Sequence, residues 1–274
     1  MTAFEGFPSG KLMSGKRGLV MGVANKNSIA WAIARQLRAQ GAELAFTYLD
    51  GMEKRVAPLA EEAGAATLVP CDVMDDASME AAFAAIKDKW GTLDFLVHAI
   101  AFSDKEELKG SFVANTTREN FKRTMDVSAY SFVDAARRAS EMMGEGGAMV
   151  TLTYLGSERV IPNYNVMGVA KAALEAATRY IARDLGPSGI RVNAISAGPV
   201  RTLAAAGISS GRHMFDFNKR ASPMQAATDP AGVAGSALYL LSDLGASCTG
   251  EVVHVDAGFH IVGMPDADAL TAEG

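Results

Sequence analysis

Cysteine is nearly absent. With only Cys71 and Cys248 in 274 residues, there is no disulfide framework and no CxxC zinc or redox motif to read. Each stands alone in an apolar strand-like or loop setting, the usual place of a packing residue. Histidine is scarce too. His98, His213, His254 and His260 lack the i, i+4 or cysteine-paired spacing of a metal site, so no metal is expected. No run of about 18 consecutive apolar residues occurs, which argues against a membrane-spanning helix. The opening MTAFEGFPSGKLMSGKRGLV has Glu5 and Pro8 where a secretory signal needs a charged start and an unbroken apolar stretch, so the expected location is the cytoplasm. Basic charge is not in excess either. A formal net charge of -5 gives no concentrated positive surface for a phosphate backbone, and no nucleic-acid partner is expected.

What is present is ample apolar material, 49% of the residues against 21% charged, enough for the core of one large α/β domain. Short apolar runs bounded by polar or glycine-containing turns alternate with long amphipathic stretches, the pattern of βαβ units in a parallel sheet. Strands are predicted at Gly18 to Val23, Glu43 to Tyr48, Ala66 to Pro70, Leu93 to His98, Ala148 to Thr153, Arg191 to Ile195 and Glu251 to Val255. Helices are predicted at Ile29 to Gln40, Ser78 to Trp90, Phe121 to Met143, Tyr164 to Asp184 and Pro230 to Leu241, with Gly41, Gly91, Gly144 and Gly186 where helices commonly end. The expectation is a single-domain, Rossmann-type, doubly wound parallel sheet of about seven strands. Residues Val200 to Ser222 are too long for an ordinary strand-to-helix loop and read as a substrate-binding lid, or as a surface helix whose Ile208, Met214 and Phe215 are simply core. The tail after Gly263 is small, acidic and polar, and is expected to fray.

The first strand is followed by GVANKNSIAWAIA. Gly22 opens a turn, and Ser28 and Ile29 begin a helix whose free N–H groups and dipole favour a diphosphate. The segment is not GxGxxG, so a plain strand-to-helix turn stays open as an alternative; Ser28 is expected to cap the helix in either case. Open α/β sheets bind ligands at the carboxyl ends of their strands. There Asp72 and Val73 follow the third strand, where a carboxylate can accept from an adenine amino group, and Ala99 and Ile100 follow the fourth. Tyr48, Leu49 and Asp50 close the second strand with no adjacent basic residue for a 2′-phosphate, which favours NADH over NADPH, although Lys54 and Arg55 stand a turn later.

Tyr164 and Lys171 are seven residues apart in PNYNVMGVAKAAL. At about 100° per residue that spacing returns the side chain to within roughly 20° of its starting direction, so one helix face can offer a phenol and an ammonium to one ligand. Alone, such a pair is more often a solvated face. In context, GVANKNSIA, LTYLGSERVIPNYNVMGVAKA, IRVNAISAGPVRTLAA and the closing GEVVHVDAGF give a chain that resembles, from about Lys16 to Gly263, the bacterial enoyl-acyl-carrier-protein reductases of the short-chain dehydrogenase/reductase superfamily. General members of that superfamily carry a tyrosine four residues before the lysine. Here that position is Met167, and the tyrosine lies seven before, as in the enoyl reductases.

The resemblance implies transfer of a hydride from NADH to the β-carbon of a trans-2-enoyl thioester. Tyr164 would donate a hydrogen bond to the enolate-like thioester oxygen, Lys171 would hold the nicotinamide ribose, and Tyr154 would flank the acyl group as proton donor or positioning group. It further implies cofactor contacts at Gly22, Ser28, Ile29, Leu49 (through its backbone), Asp72, Val73, Ile100, Lys171 and the run Val200, Arg201, Thr202, Leu203 and Ala204. Thr202 would bond the carboxamide or diphosphate. Substrate contacts fall to Ser103, Tyr154, Tyr164 and Met214. Ala101 stands where many relatives have glycine, so diphenyl-ether inhibitors are expected to bind more weakly. The partner implied is the acyl carrier protein; relatives meet it with several basic residues on the lid, whereas here Ser209, Arg212 and His213 occupy that stretch with Lys219 and Arg220 beyond, so weaker or shifted carrier recognition is expected. The assembly implied is a homotetramer with alanine-rich helices at its faces. A dehydrogenase acting on a ketone or alcohol, and a non-catalytic NAD(H) sensor, remain the alternatives.

Overall fold

The computed structural model describes residues 9–200, 202, 211–264 and 266, with the backbone alone for 211–213. Seven strands form one parallel sheet: β1 (Arg17–Met21), β2 (Glu43–Tyr48), β3 (Thr67–Pro70), β4 (Phe95–His98), β5 (Gly147–Thr153), β6 (Ile190–Ala197) and β7 (Val252–Val255). Their order is β3-β2-β1-β4-β5-β6-β7. Leu19 of β1 pairs with Ala45 on one side and Leu96 on the other. The chain therefore winds outward in both directions from β1 and β4, and a crevice opens at their carboxyl ends.

The central strands are buried on both faces, as parallel strands covered by crossover helices must be. One face packs under α1 (Ile29–Ala39), α2 (Glu53–Glu62) and α9 (Pro230–Leu241), where Trp31, Ile33, Leu37, Val56 and Leu240 meet Phe46 and Phe95. The other packs under α3 (Asp76–Trp90), α6 (Ser131–Ser140) and α7 (Asn165–Leu185), where Met79, Ile86, Phe132 and Leu174 meet Leu96 and Met149. Smaller helices complete the order: α4 (Phe112–Asn115), α5 (Arg118–Met125) and α8 (Gly211–Ala221).

All seven predicted strands form, with ends displaced by a few residues. Three helical readings change. The segment Phe121 to Met143, read as one helix, is α5 and α6 joined by a π-helical turn, Asp126–Tyr130, and it stops at Ser140 rather than running to Gly144. Helix α2 was not read because Pro58 sits within it, where proline removes an N–H and crowds the preceding turn. The connection Val200 to Ser222 contains α8, which agrees with the surface-helix alternative as to secondary structure. Among the described residues no helix is long and apolar enough to cross a membrane. Cys71 is buried, its thiol 3.4 Å from the Met79 sulfur and pushed by burial to about 11, and Cys248 lies beside Asn193, so both are packing residues.

Candidate active site

At the amino end of α1 the chain turns at Gly22, with φ of 97°, in the left-handed region. A Cβ there would stand 2.1 Å from the Ala99 carbonyl oxygen, so only glycine lets β1 and β4 close up at the crevice. Ser28 occupies the N-cap position, yet its hydroxyl donates to the Asn25 carbonyl at 2.7 Å and accepts nothing from the helix. The expectation that Ser28 caps α1 is thus corrected: the local turn captures the hydroxyl, and among the described residues no N-cap side chain satisfies the first amides of α1, beginning at Ile29. Beside them lies a cavity of about 280 Å³ lined by Lys26, Asn27, Ser28, Val200, Phe215 and Thr228.

Thr228 escaped the sequence reading. Its hydroxyl is buried and has no hydrogen-bond partner among the described residues. Open helix amides and an orphaned buried hydroxyl around one cavity are what a dinucleotide's phosphates and hydroxyls would satisfy. The residues present therefore fit NAD(H).

Other predicted cofactor positions line the same sheet edge. Asp72 is exposed beyond β3; one carboxylate oxygen accepts from the Met74 N–H at 2.9 Å, leaving the other for an exocyclic amine. Val73 and Ile100 are half-buried. Leu49 points outward, 53% exposed, which leaves its backbone as the useful part. Burial, then Glu53 and Asp50, push the Tyr48 phenol up, and that acidic surrounding disfavours a 2′-phosphate. Val200 is buried and accepts from the Thr202 N–H at 2.7 Å. Arg201, Leu203 and Ala204 lie outside the described residues.

The reacting end is built from β5 and α7. Tyr154 directly follows β5 and Tyr164 directly precedes α7; their rings meet edge-on, centroids 5.0 Å apart at 75°. Tyr164 sits between Asn163 and Asn165, whose φ values of 59° and 35° are ones asparagine tolerates. Both asparagines fasten to the loop ahead of α4: Asn163 accepts from the Gly110 N–H at 3.1 Å, and Asn165 donates to the Glu107 carbonyl at 3.1 Å. Two glycines seat the Tyr164 ring, since a Cβ on Gly156 would fall 2.4 Å from it and one on Gly168 would fall 2.6 Å from the Gly156 carbonyl. Met167, four residues before the lysine, is buried beside Tyr164 with Leu108, Val166 and Ala170.

Two turns along α7, Lys171 donates from Nζ to the Leu152 carbonyl of β5 at 2.8 Å. The lysine and Tyr164 are thus both directed at the carboxyl end of β5. Burial lowers the Lys171 ammonium to about 8, with Glu175 opposing the drop. Burial, aided by Asp256, raises Tyr154 to about 12, and burial raises Tyr164 further still. At neutral pH both phenols keep their protons and the lysine keeps most of its charge, so the cluster offers donors and one cation to a developing anion. Behind it His98, held by Ser131 at 2.9 Å and Thr151 at 3.2 Å, is pushed down to about 3 by burial and then by Lys171, and stays neutral.

Ser103 turns its hydroxyl to α5, accepting from Thr124 at 2.9 Å and Asn120 at 3.1 Å, while Met214 is half-buried on α8. The π turn has a local use: Ser128 bonds both the N–H and the carbonyl of Phe102, at 3.0 and 3.1 Å, and so fixes the loop beyond β4. Exposed Ala101 lies in that loop. Glu175 is a second residue the sequence reading missed. It is buried on α7 and accepts from Thr153 at 2.6 Å and Ser157 at 2.5 Å; its spacing of four from Lys171 was the available signal.

A family model described as enoyl-(acyl carrier protein) reductase matches residues 22–260. The enoyl-acyl-carrier-protein reductase (NADH) 2 of Rhizobium meliloti strain 1021 is 60% identical over 260 residues, covering 94% of this chain and 97% of the relative. The reductase (NADH) FabI of Rickettsia bellii is 50% identical over 253 residues, covering 92% and 96%. Among solved structures, the Anaplasma phagocytophilum reductase in complex with NAD superposes with a TM-score of 0.92 at 54% identity, covering 95% of this chain and 100% of that one. The Bacillus cereus reductase with NADP+ and indole naphthyridinone gives 0.90 at 47% identity, covering 93% and 100%.

Proposed function

The chain belongs to the enoyl-acyl-carrier-protein reductase family, and from that premise we propose how its own residues carry the reaction, the NADH-dependent reduction of the double bond of trans-2-enoyl thioesters that closes each cycle of fatty-acid elongation. NADH, when bound, supplies the hydride that the β-carbon receives. The turn at Gly22, the open amides at Ile29 and the Thr228 hydroxyl hold the diphosphate end. Asp72 takes the adenine amine, and Lys171 gives its two remaining N–H donors to ribose hydroxyls. Tyr164 donates its phenol proton in a hydrogen bond to the thioester oxygen as charge accumulates there. Tyr154, held edge-on against it, fixes the ring's direction and closes the acyl side.

The observation that carries this reading is the edge-on contact of Tyr154 with buried Tyr164 just beyond β5, together with buried Lys171 bonded to the Leu152 carbonyl near the carboxyl end of the same strand. One domain holds both ligands, with α8 as part of the lid and Met214 toward the acyl chain. The acyl carrier protein is the donor of substrate, and its acidic surface meets the exposed Lys219 and Arg220 on α8. The chain works in the cytoplasm as a homotetramer, using the exposed aromatic side chains Phe121 and Tyr130 near the π turn and Tyr180 on α7. The test is loss of nicotinamide absorbance by the purified chain with crotonyl and longer enoyl thioesters, NADH against NADPH, beside a β-ketoacyl thioester. Turnover of enoyl substrates with NADH is expected; turnover of the ketoacyl substrate alone, or tight NADH binding without turnover, overturns the reading.

A further inference from the structure

Glu175 has no part in the reaction as described, yet it is a carboxylate only 6% exposed in the interior of the site. One of its oxygens accepts from two hydroxyls, Thr153 at 2.6 Å and Ser157 at 2.5 Å. Those residues bracket Tyr154, one before it and three after. Glu175 also lies one helical turn beyond Lys171 on α7. A buried carboxylate that served only to tie α7 to the end of β5 is an expensive choice, because a neutral amide could accept the same two hydrogen bonds without the desolvation of a charge.

Lys171 is 6% exposed as well, and its hydrogen-bond partner among the described residues is a neutral carbonyl, that of Leu152. Among the described residues, the other ionisable groups on neighbouring elements are neutral or engaged elsewhere; Asp256, which bears on Tyr154, accepts from the Gly258 and His260 N–H groups. His98 of β4 is neutral, and Tyr154 and Tyr164 keep their protons. Asp134 of α6 is paired with Arg137 and Arg138. Arg123 of α5 lies over Phe102 and near Asp104, and Arg191 of β6 is bonded to the Leu240 and Ser242 carbonyls. Among the described residues, Glu175 is the anion whose charge raises the proton affinity of Lys171.

We infer that Glu175 is a positioning residue of this active site: its carboxylate anchors the Thr153–Ser157 segment that carries Tyr154 and supplies the negative charge against which Lys171 keeps its proton. The role rests on the proposed part of Lys171 in the reaction, so the deciding experiment reads the lysine itself, without substrate. In the full chain labelled at lysine Cε, the Lys171 resonance is assigned by its loss in Lys171→Met and titrated by NMR. In wild type it should titrate near 8. Glu175→Gln keeps an acceptor for both hydroxyls and removes the charge, and should move the Lys171 titration down by about one pH unit, the low end of what a nearby opposite charge does. The alkaline limb of kcat/KM should move with it. Glu175→Asp keeps the charge and should leave that limb within a few tenths of a unit of wild type, while kcat falls as Tyr154 shifts.

An unchanged Lys171 titration in Glu175→Gln overturns the inference, as does an equal shift in Glu175→Asp. If Glu175→Gln does not fold, the wild-type titration still decides against the idea should Lys171 titrate at about 5–6, the range of a buried lysine with no compensating anion. A shifted titration in a protein that turns over no enoyl thioester would leave the Glu175 to Lys171 coupling standing and the proposed reaction refuted.

Discussion

The two ends of the crevice are built in opposite ways. At the amino end of α1 polar groups are left open among the described residues: helix amides without a side-chain cap, a serine whose hydroxyl is bound elsewhere, a buried threonine with no partner. At the end of β5 the side chains are fixed in advance. Tyr164 is seated on two glycines and flanked by two fastened asparagines, Lys171 is bonded to Leu152, and Glu175 is bonded to two hydroxyls. A site that must capture and release a large cofactor presents donors awaiting it. A site that must stabilise charge at one atom needs groups whose direction is settled beforehand.

The contrast can be broken most severely at Tyr164. Tyr164→Phe removes the donor without disturbing the ring's seat, so kcat with a crotonyl thioester should fall about 100- to 1000-fold while NADH affinity, followed by fluorescence titration, stays within about twofold. An equal fall in NADH affinity would mean that the two ends are not separable. The next effect is in pH. Lys171 is the active form when charged, and its value is about 8, so kcat/KM should be flat below that and drop tenfold per unit above it. No acid limb should come from His98, because its value of about 3 leaves it neutral over the working range.

At the other end, Gly22→Ala forces a Cβ into the Ala99 carbonyl at a left-handed φ. It should cost about 1–3 kcal/mol, read as a lower melting temperature together with weaker NADH binding. Thr228→Val tests the orphaned hydroxyl more gently. If that hydroxyl waits for the cofactor, NADH binding should weaken about two- to tenfold with no fall in melting temperature, the reverse of what a hydroxyl serving only the fold would give. The smallest effect is expected from Ala101→Gly, which should tighten diphenyl-ether inhibitors a few fold in titrations with NAD+ present; equal inhibition of both proteins would remove Ala101 from the pocket.

The sheet was legible because its strands are short, apolar and regularly spaced, and the crevice followed from where they end. The helices were read well where the apolar period ran unbroken, as in α7 and α9. They were misread where a local event intervened: Pro58 inside α2, and the extra residue of the π turn between α5 and α6, which leaves no mark in composition. Tyr164 and Lys171 were visible through their spacing, and Tyr154 through the family resemblance. Their surroundings were not, since nothing in the sequence says that Ser28 bonds backward to Asn25, that Ser103 turns to α5, or that Thr228 is buried with no partner among the described residues. Glu175 was within reach, but charge at helical spacing on a long helix is ordinarily solvated.

The packing of Met167 constrains how this scaffold can change its chemistry. Position 167 points into a tight apolar cluster with Leu108, Val166 and Ala170. Moving the phenol there, to imitate relatives that act on carbonyls, would wedge a hydroxyl among hydrocarbon side chains and vacate the bed shaped by Gly156 and Gly168. Interconversion of the two reaction types along this helix is therefore a concerted rebuilding of several neighbours, and single-residue grafts should yield inactive proteins rather than switched ones.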